Sequence, residues 1–204
     1  MPSPTMVDPM PTDRPSSRPY LLAGLIWLAA ATALGASHRI SQLRPPAPQL
    51  VVLGLTLALL VAGSALMGFR AWLDSLRLRA LVALHVTRLV AGYYFLHLYR
   101  AGGLPRDFAV PGGVGDIAVG SLALIMVLFV RNLEEKRRLV LVWNLLGLAD
   151  IIFVVATAAR LGMSDPASMS ALLRLPLSLL PTFLVPLIIA SHILIFARLT
   201  RPKS

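Results

Sequence analysis

LVLVWNLLGLADIIFVVATAAR, residues 139–160, is long enough and apolar enough to cross a lipid bilayer as one helix. A transmembrane helix needs about 20 predominantly apolar residues. The only charged side chain before the terminal Arg160 is Asp150, which lies near the middle of the segment. The segment therefore predicts a membrane-spanning helix with a carboxylate deep in the bilayer.

Similar segments fill most of the chain. Of the 204 residues, 57% are hydrophobic and 14% are charged, and the mean hydropathy is +0.77, whereas soluble domains carry about 25% charged residues. This composition predicts an all-α, polytopic bundle of six transmembrane helices over residues 20–199. Besides 139–160, the predicted spans are 20–36, 49–69, 80–99, 109–130 and 181–199.

The ends of the chain are predicted to be short tails. Residues 1–19 are rich in Pro and Ser and lack periodicity, which is typical of a disordered segment. Residues 200–204 form a C-terminal tail. An alternative is that the first apolar run is a cleaved signal peptide, because it ends in small residues; its 17-residue apolar core exceeds the usual length of about 7–15 residues.

The basic residues predict the orientation of the bundle. Twelve of the 19 Lys and Arg residues lie in the tails and in the loops at 70–79 and 131–138, and six lie in the other three loops. The positive-inside rule then places both termini in the cytoplasm, in a bacterial-type cytoplasmic membrane. We interpret the net charge of +10 as topology signals and contacts to lipid headgroups.

We expect membrane lipids as partners, with a second copy or other membrane proteins as further candidates. Nucleic acid is not expected, because no basic helix face or aromatic-interleaved basic patch is present. The absence of cysteine excludes disulfides and thiol catalysis. No H-E-x-x-H or comparable signature appears, so no metal site is expected.

Several polar side chains interrupt the predicted spans. Such groups are costly in lipid and usually face partners inside the bundle. From a rise of about 1.5 Å per residue, two of them, Arg88 and Asp150, fall near the bilayer middle, and Asp116 falls nearer the outside. The proposed ion path consists of Arg88, Asp150, Asp116, His85, His192 and Asn144.

Residue spacing predicts that these groups share faces with small residues. His85, Arg88 and Gly92 recur at i, i+3 and i+7 and therefore lie on one stripe of the third span. Small residues beside a charge let a neighbouring helix approach closely. We expect Arg88 to be the hub of a buried cluster, paired first with Asp150 and next with Asp116.

The segment Gly113-Val114-Gly115-Asp116 resembles the G-x-G-D motif of the presenilin-like and prepilin peptidases. That resemblance implies an intramembrane aspartyl peptidase with Asp116 and Asp150 as catalytic residues. Asp150 follows the motif, whereas the family's other aspartate precedes it. A different interpretation is that 104–116 forms an outer-leaflet turn, with Pro111 starting the fourth span and Asp116 in its first turns, where a negative charge is favourable.

The histidines raise one further alternative. His85 and His192 are predicted on different helices at comparable depths, as a bis-histidine haem requires. A neutral histidine bonded to a carbonyl is the more ordinary outcome, and we expect no cofactor. The sequence therefore favours small-solute or proton-linked transport through the buried cluster, with a peptidase, a haem-bearing redox protein and a scaffold for a membrane complex as alternatives.

Overall fold

The computed structural model describes residues 16–201, and within that range the chain is 81% helical and contains no strand. The predicted all-α bundle with six spans is confirmed. The spans, numbered first to sixth in chain order, are Arg18–Ala36, Ala47–Ala65, Leu78–Arg100, Arg106–Phe129, Arg137–Ser164 and Leu180–Thr200.

Two regions of the spans depart from regular α-helix. The third span contains a 3-10 turn at His85–Thr87, and the sixth begins with a π-helical turn at Leu180–Leu184. A separate short helix, Met67–Ser75, connects the second and third spans and is called the connecting helix below. The sequence predicts that the second span extends to residue 69, but its α-helix ends at Ala65.

The connecting helix marks one end of the bundle. Tyr20 of the first span stacks on Trp72, with ring centroids 5.0 Å apart, and Arg201 forms an ion pair of 3.5 Å with Asp74. We call this end the terminal face; the connections 37–46, 101–105 and 165–179 form the opposite end, the far face. The predicted tail 1–19 lies largely outside the described residues, and the first helix already begins at Arg18.

A polar layer divides the apolar interior. Toward the terminal face, residues such as Leu81, Val82 and Ile195 form one buried cluster. Toward the far face, Phe95 and Phe108 belong to another. The side chains between them are buried and polar, namely His85, Arg88, Asp116, Asn144, Ser191 and His192. The bundle therefore surrounds its charged groups with apolar side chains above and below.

Glycines allow the third and fourth spans to pack closely. A Cβ atom at Gly92 would lie 2.6 Å from the carbonyl oxygen of Gly113. One at Gly120 would lie 3.0 Å from the backbone nitrogen of Leu89. Because backbone atoms at these distances leave no space for a side chain, only glycine permits this approach.

Three arginines bind helix ends at the terminal face. Arg79 donates to the carbonyl of Val127, at 2.6 Å, near the end of the fourth span. Arg198 donates to the carbonyl of Leu76, at 2.6 Å, just after the connecting helix. Arg137 donates to Leu199 of the sixth span. The last carbonyls of a helix lack intrahelical donors, so these side chains satisfy them and offset the negative helix end.

Candidate functional site

Arg88 lies at the centre of the polar layer and is fully buried. Its Nε donates to Oδ1 of Asp116 at 2.6 Å, and one terminal nitrogen donates to Oδ2 of Asp150. The other terminal nitrogen donates to the carbonyl of Gly147 at 3.0 Å. One guanidinium therefore links three spans, as a buried cation requires when water is excluded.

Asp150 reaches Arg88 across the backbone of Gly115. A Cβ atom at Gly115 would lie 1.8 Å from Oδ1 of Asp150, so any other residue there would displace the carboxylate. The side chain of Asp150 is 17% exposed, whereas that of Asp116 is 4% exposed. The glycines of G-x-G-D thus make room for the second carboxylate.

The turn predicted around Asp116 is wrong. The fourth span begins at Arg106, and Pro111 lies inside the helix. Asp107 occupies the first turn, while Asp116 lies more than two turns further along and binds Arg88. The sequence predicts that Asp116 lies nearer the outside than Asp150. In the structure both carboxylates nevertheless bind the same guanidinium.

The charges of this cluster do not balance. Arg88 contributes one positive charge, and Asp116 and Asp150 contribute two negative charges when both are ionised. Uncompensated charge is costly in a low-dielectric interior. The cluster therefore favours the arrival of one proton or one cation.

His192 continues the polar layer on the sixth span. Its Nδ1 lies 2.8 Å from Oδ1 of Asn144, and Nδ2 of Asn144 donates to the carbonyl of His192 at 3.1 Å. Because the amide nitrogen is the donor in the second bond, Oδ1 accepts in the first and the proton of His192 lies on Nδ1. Nε2 of His192 is buried and has no hydrogen-bond partner within residues 16–201.

His85 binds the neighbouring residue of the sixth span. Its Nε2 lies 3.0 Å from Oγ of Ser191, and that hydroxyl donates to the carbonyl of Ile188 at 2.8 Å. The hydroxyl oxygen is then the acceptor for His85 Nε2–H. Nδ1 of His85 is buried and finds no partner in the described part of the chain. Ser191 and His192 therefore act separately, as their adjacent positions on a helix predict.

The two imidazoles pack directly on each other. Their centroids are 4.2 Å apart, and Trp143 packs edge-on against His85 at 5.0 Å. A Cβ atom at Gly147 would lie 2.7 Å from Cε1 of His192, so this glycine makes room for the ring. A bis-histidine haem holds its imidazoles on opposite faces of a macrocycle, and rings in this contact leave no space for one between them.

A cavity leads from the far face to the ion cluster. Its volume is about 120 Å³, and its lining is almost entirely apolar. Pro45 and Pro166 line it near the far face, and Arg88 and Asp116 line its inner end. Gln49 also lines it, and Oε1 of Gln49 is buried with no hydrogen-bond partner among the described residues.

A second cavity, of about 710 Å³, occupies the opposite half of the bundle. Trp72 and Arg201 line it at the terminal face, and Leu84 and Ser191 line its inner part. Ser191 is the residue that accepts the hydrogen bond of His85. The two cavities therefore approach the polar layer from opposite sides.

The structure brings together all six residues of the proposed ion path, Arg88, Asp150, Asp116, His85, His192 and Asn144. Sequence reasoning missed Ser191, Gln49 and the packing role of Gly115. Ser191 lies in the apolar sixth span, and nothing in the sequence around it indicates that its hydroxyl binds a histidine of the third span. Gly115 was visible only as part of a glycine-rich segment.

The fold and the buried ion cluster define a multi-pass integral membrane protein. Residues 45–200 match the model of a family described as a domain of unknown function (DUF8737), and the chain belongs to that family. The match covers the second to sixth spans. No curated protein and no solved structure matches the chain.

Proposed function

We propose that the protein is a proton-linked transporter of small solutes, with the polar layer as its path. The observation that carries this proposal is the position of the two cavities, which approach the layer from opposite faces. A transporter needs a site that can be reached from either side of the membrane, with a barrier between the two entrances. The polar layer and its packed side chains supply that barrier here.

Titratable side chains lie on both sides of the barrier and are linked through the backbone of Gly147. Asp116 lines the first cavity and shares Arg88 with Asp150. Gly147, whose carbonyl binds Arg88, contacts the ring of His192. His192 packs against His85 with the rings tilted, and the series ends at Ser191, which lines the second cavity. Intramembrane carboxylates and histidines arranged in this way are typical of proton relays.

The two histidines each have an acceptor nitrogen that the described residues leave open. Each ring has one nitrogen that is bonded to a neighbour and one buried nitrogen without a partner within residues 16–201. Buried polar atoms are normally hydrogen-bonded, and exceptions often have a functional reason. A proton that enters from Asp116 would compensate the surplus negative charge of the cluster before it moves on.

Proton flux into liposomes tests this proposal. The purified protein is reconstituted with a pH-sensitive dye in the lumen, and an inside-negative potential is imposed. We expect acidification faster than in protein-free liposomes, and a loss of at least about tenfold in Asp116→Asn, as is usual when a relay group is removed. Asp107→Asn, an exposed carboxylate on the same helix, is the matched control and should retain full flux.

Two results would overturn the proposal. One is flux no faster than in empty liposomes, with protein shown to be folded by its circular dichroism and its elution as a single species. The other is equal flux in Asp116→Asn and Asp107→Asn. Cleavage of a transmembrane peptide that is lost in both Asp116→Asn and Asp150→Asn would instead favour the aspartyl peptidase. Against that alternative, Arg88 occupies the position between the two carboxylates where a catalytic water would bind.

A further inference from the structure

From the chemistry of the first cavity we infer the substrate class, an inference that rests on the proposed transport function. We propose that this cavity binds a small lipophilic cation, such as a primary ammonium on an apolar body about the size of one aromatic ring. Three features of the cavity lead to this choice: its size, the character of its walls, and the charge at its inner end.

The size and walls of the cavity select a small apolar body. A cavity of about 150 Å³ lined by apolar side chains binds benzene in an engineered protein, and this one measures about 120 Å³. Two phenyl rings, those of Phe95 and Phe108, line it and lie 4.9 Å apart. Aromatic faces attract cations as well as apolar groups. Small carbohydrates and other strongly polar solutes do not match such a surface.

The charge of the inner end selects a cation over an anion. Arg88 also lines the cavity, but its nitrogens already donate to Asp116, Asp150 and the carbonyl of Gly147. An anion would have to displace one of these partners and would add to the surplus negative charge. A cation compensates that charge and can bind Asp116, which lines the cavity.

Gln49 supplies a second acceptor for the same ligand. Its Oε1 is buried at the wall of the cavity without a hydrogen-bond partner in the described residues. A carbonyl oxygen accepts hydrogen bonds and cannot donate them. An ammonium with several N–H donors therefore satisfies Oε1 of Gln49 on the way to Asp116, whereas a carboxylate has no proton to donate to either oxygen.

A series of three ligands with one ring tests the inference. The probes are 4-fluorobenzylammonium, 4-fluorobenzyl alcohol and 4-fluorobenzoate, titrated into the detergent-purified full-length protein at neutral pH and followed by fluorine NMR. Titrations into empty micelles are subtracted. We expect the ammonium to bind at least about tenfold more tightly than the alcohol, because hydrogen bonds to charged groups are stronger than neutral ones. The benzoate should bind more weakly than the alcohol.

Two variants locate the site. Asp116→Asn should bring the affinities of ammonium and alcohol to within about threefold, because the surplus charge is removed while the amide oxygen still accepts from Arg88. Gln49→Leu should weaken both ligands about threefold or more by removing an acceptor. Gln42→Leu makes the same change at an exposed position outside the cavity and should bind all three ligands as the natural protein does.

The outcomes separate this inference from the proposed function. Equal affinity for the three ligands, or tightest binding of the benzoate, overturns the cation class. The cation class is also overturned if the Asp116→Asn and Gln49→Leu variants both still bind the ammonium in preference to the alcohol. Binding of the ammonium without proton flux in liposomes supports the site and overturns transport. Proton flux in a protein that shows no charge preference supports transport and overturns the substrate class.

Discussion

The first two spans have mean hydropathies of 1.6 and 1.9, within the range of 1.3–2.4 covered by the last four, but the two groups differ in how much of each helix is buried. Within the most apolar window of each, 11% of the residues are buried in the first and second spans, against 33–39% in the third to sixth. The polar layer lies entirely in the last four spans. Hydropathy therefore locates helices in the membrane, whereas polar residues and close-packing glycines identify those that form the core.

Several glycines show the same difference, although Gly35 at the end of the first span is closely packed, with Oγ of Ser178 2.6 Å from the position of a Cβ atom. At Gly24 and Gly54, in the first two spans, a Cβ atom would meet nothing within 4 Å among the described residues. At Gly92, Gly115 and Gly147 it would lie less than 3.0 Å from another atom. The first span also lies outside the part of the chain that matches the family model. Close packing at glycine is therefore concentrated in the last four spans, where it lies beside the polar layer.

The largest effect is expected from Arg88→Met. This change leaves the carboxylates of Asp116 and Asp150 buried without their cation, and breaking a buried ion pair in this way costs about 3–5 kcal/mol. The free energy of unfolding, measured by titration with SDS in mixed micelles, should fall by that amount. Arg100→Met, at an exposed helix end, should change it little.

Removing the charges together sharpens this test. Arg88→Met combined with Asp116→Asn and Asp150→Asn eliminates the unpaired charges, and we expect it to recover part of the lost stability. If Arg88→Met were as stable as Arg100→Met, the ion cluster would not hold the core together. The difference between the first two spans and the last four would then depend on apolar packing alone.

Gly92→Ala should have the second largest effect. The new methyl group would lie 2.6 Å from the Gly113 carbonyl oxygen, so the third and fourth spans must separate, at a cost of about 1–3 kcal/mol. Gly54→Ala, with open space at its Cβ position, should change the free energy of unfolding by no more than about 0.5 kcal/mol. Equal losses in the two variants would show that glycine does not distinguish core from peripheral spans.

The smallest effect is expected from Trp27→Phe in the first span. Its indole nitrogen donates to the carbonyl of Thr182 at 2.9 Å, and its ring packs on Phe183 at 4.9 Å. Phenylalanine keeps the packing and removes the hydrogen bond, at a cost of about 0.5–1.5 kcal/mol. Trp143→Phe removes the bond to Val119 inside the core and should cost more in the same SDS titration; the reverse order would contradict the division into core and periphery.

The six spans and the pairing of Arg88 with Asp150 and Asp116 could be predicted from the sequence. Hydropathy sets the spans because lipid demands length and apolar surface, and periodicity places His85, Arg88 and Gly92 on one stripe. The predicted start of the fourth span at Pro111 was wrong, because the carbonyls near a proline in a membrane helix can be satisfied by other groups. Proline there interrupts hydrogen bonding without ending the helix.

The basic residues show a second limit of sequence reasoning. We interpreted them as topology signals and lipid contacts, yet Arg79, Arg137 and Arg198 bind backbone carbonyls of neighbouring helices. A count of charges gives no partner, since the carbonyl acceptors carry no sequence signal. For the same reason the two cavities and the bond between His85 and Ser191 could not be foreseen.

The 3-10 turn at His85–Thr87 has a geometric consequence for the third span. A 3-10 helix advances about 120° and 2.0 Å per residue, and an α-helix about 100° and 1.5 Å. Rewinding these three residues as α-helix would rotate the two halves of the span against each other by roughly 60°. Arg88 would then swing away from both carboxylates while Leu81 and Val82 kept their packing. Gly92 and Phe95 would rotate with Arg88, so this one turn of backbone sets both the buried ion pairs and the close contact with the fourth span.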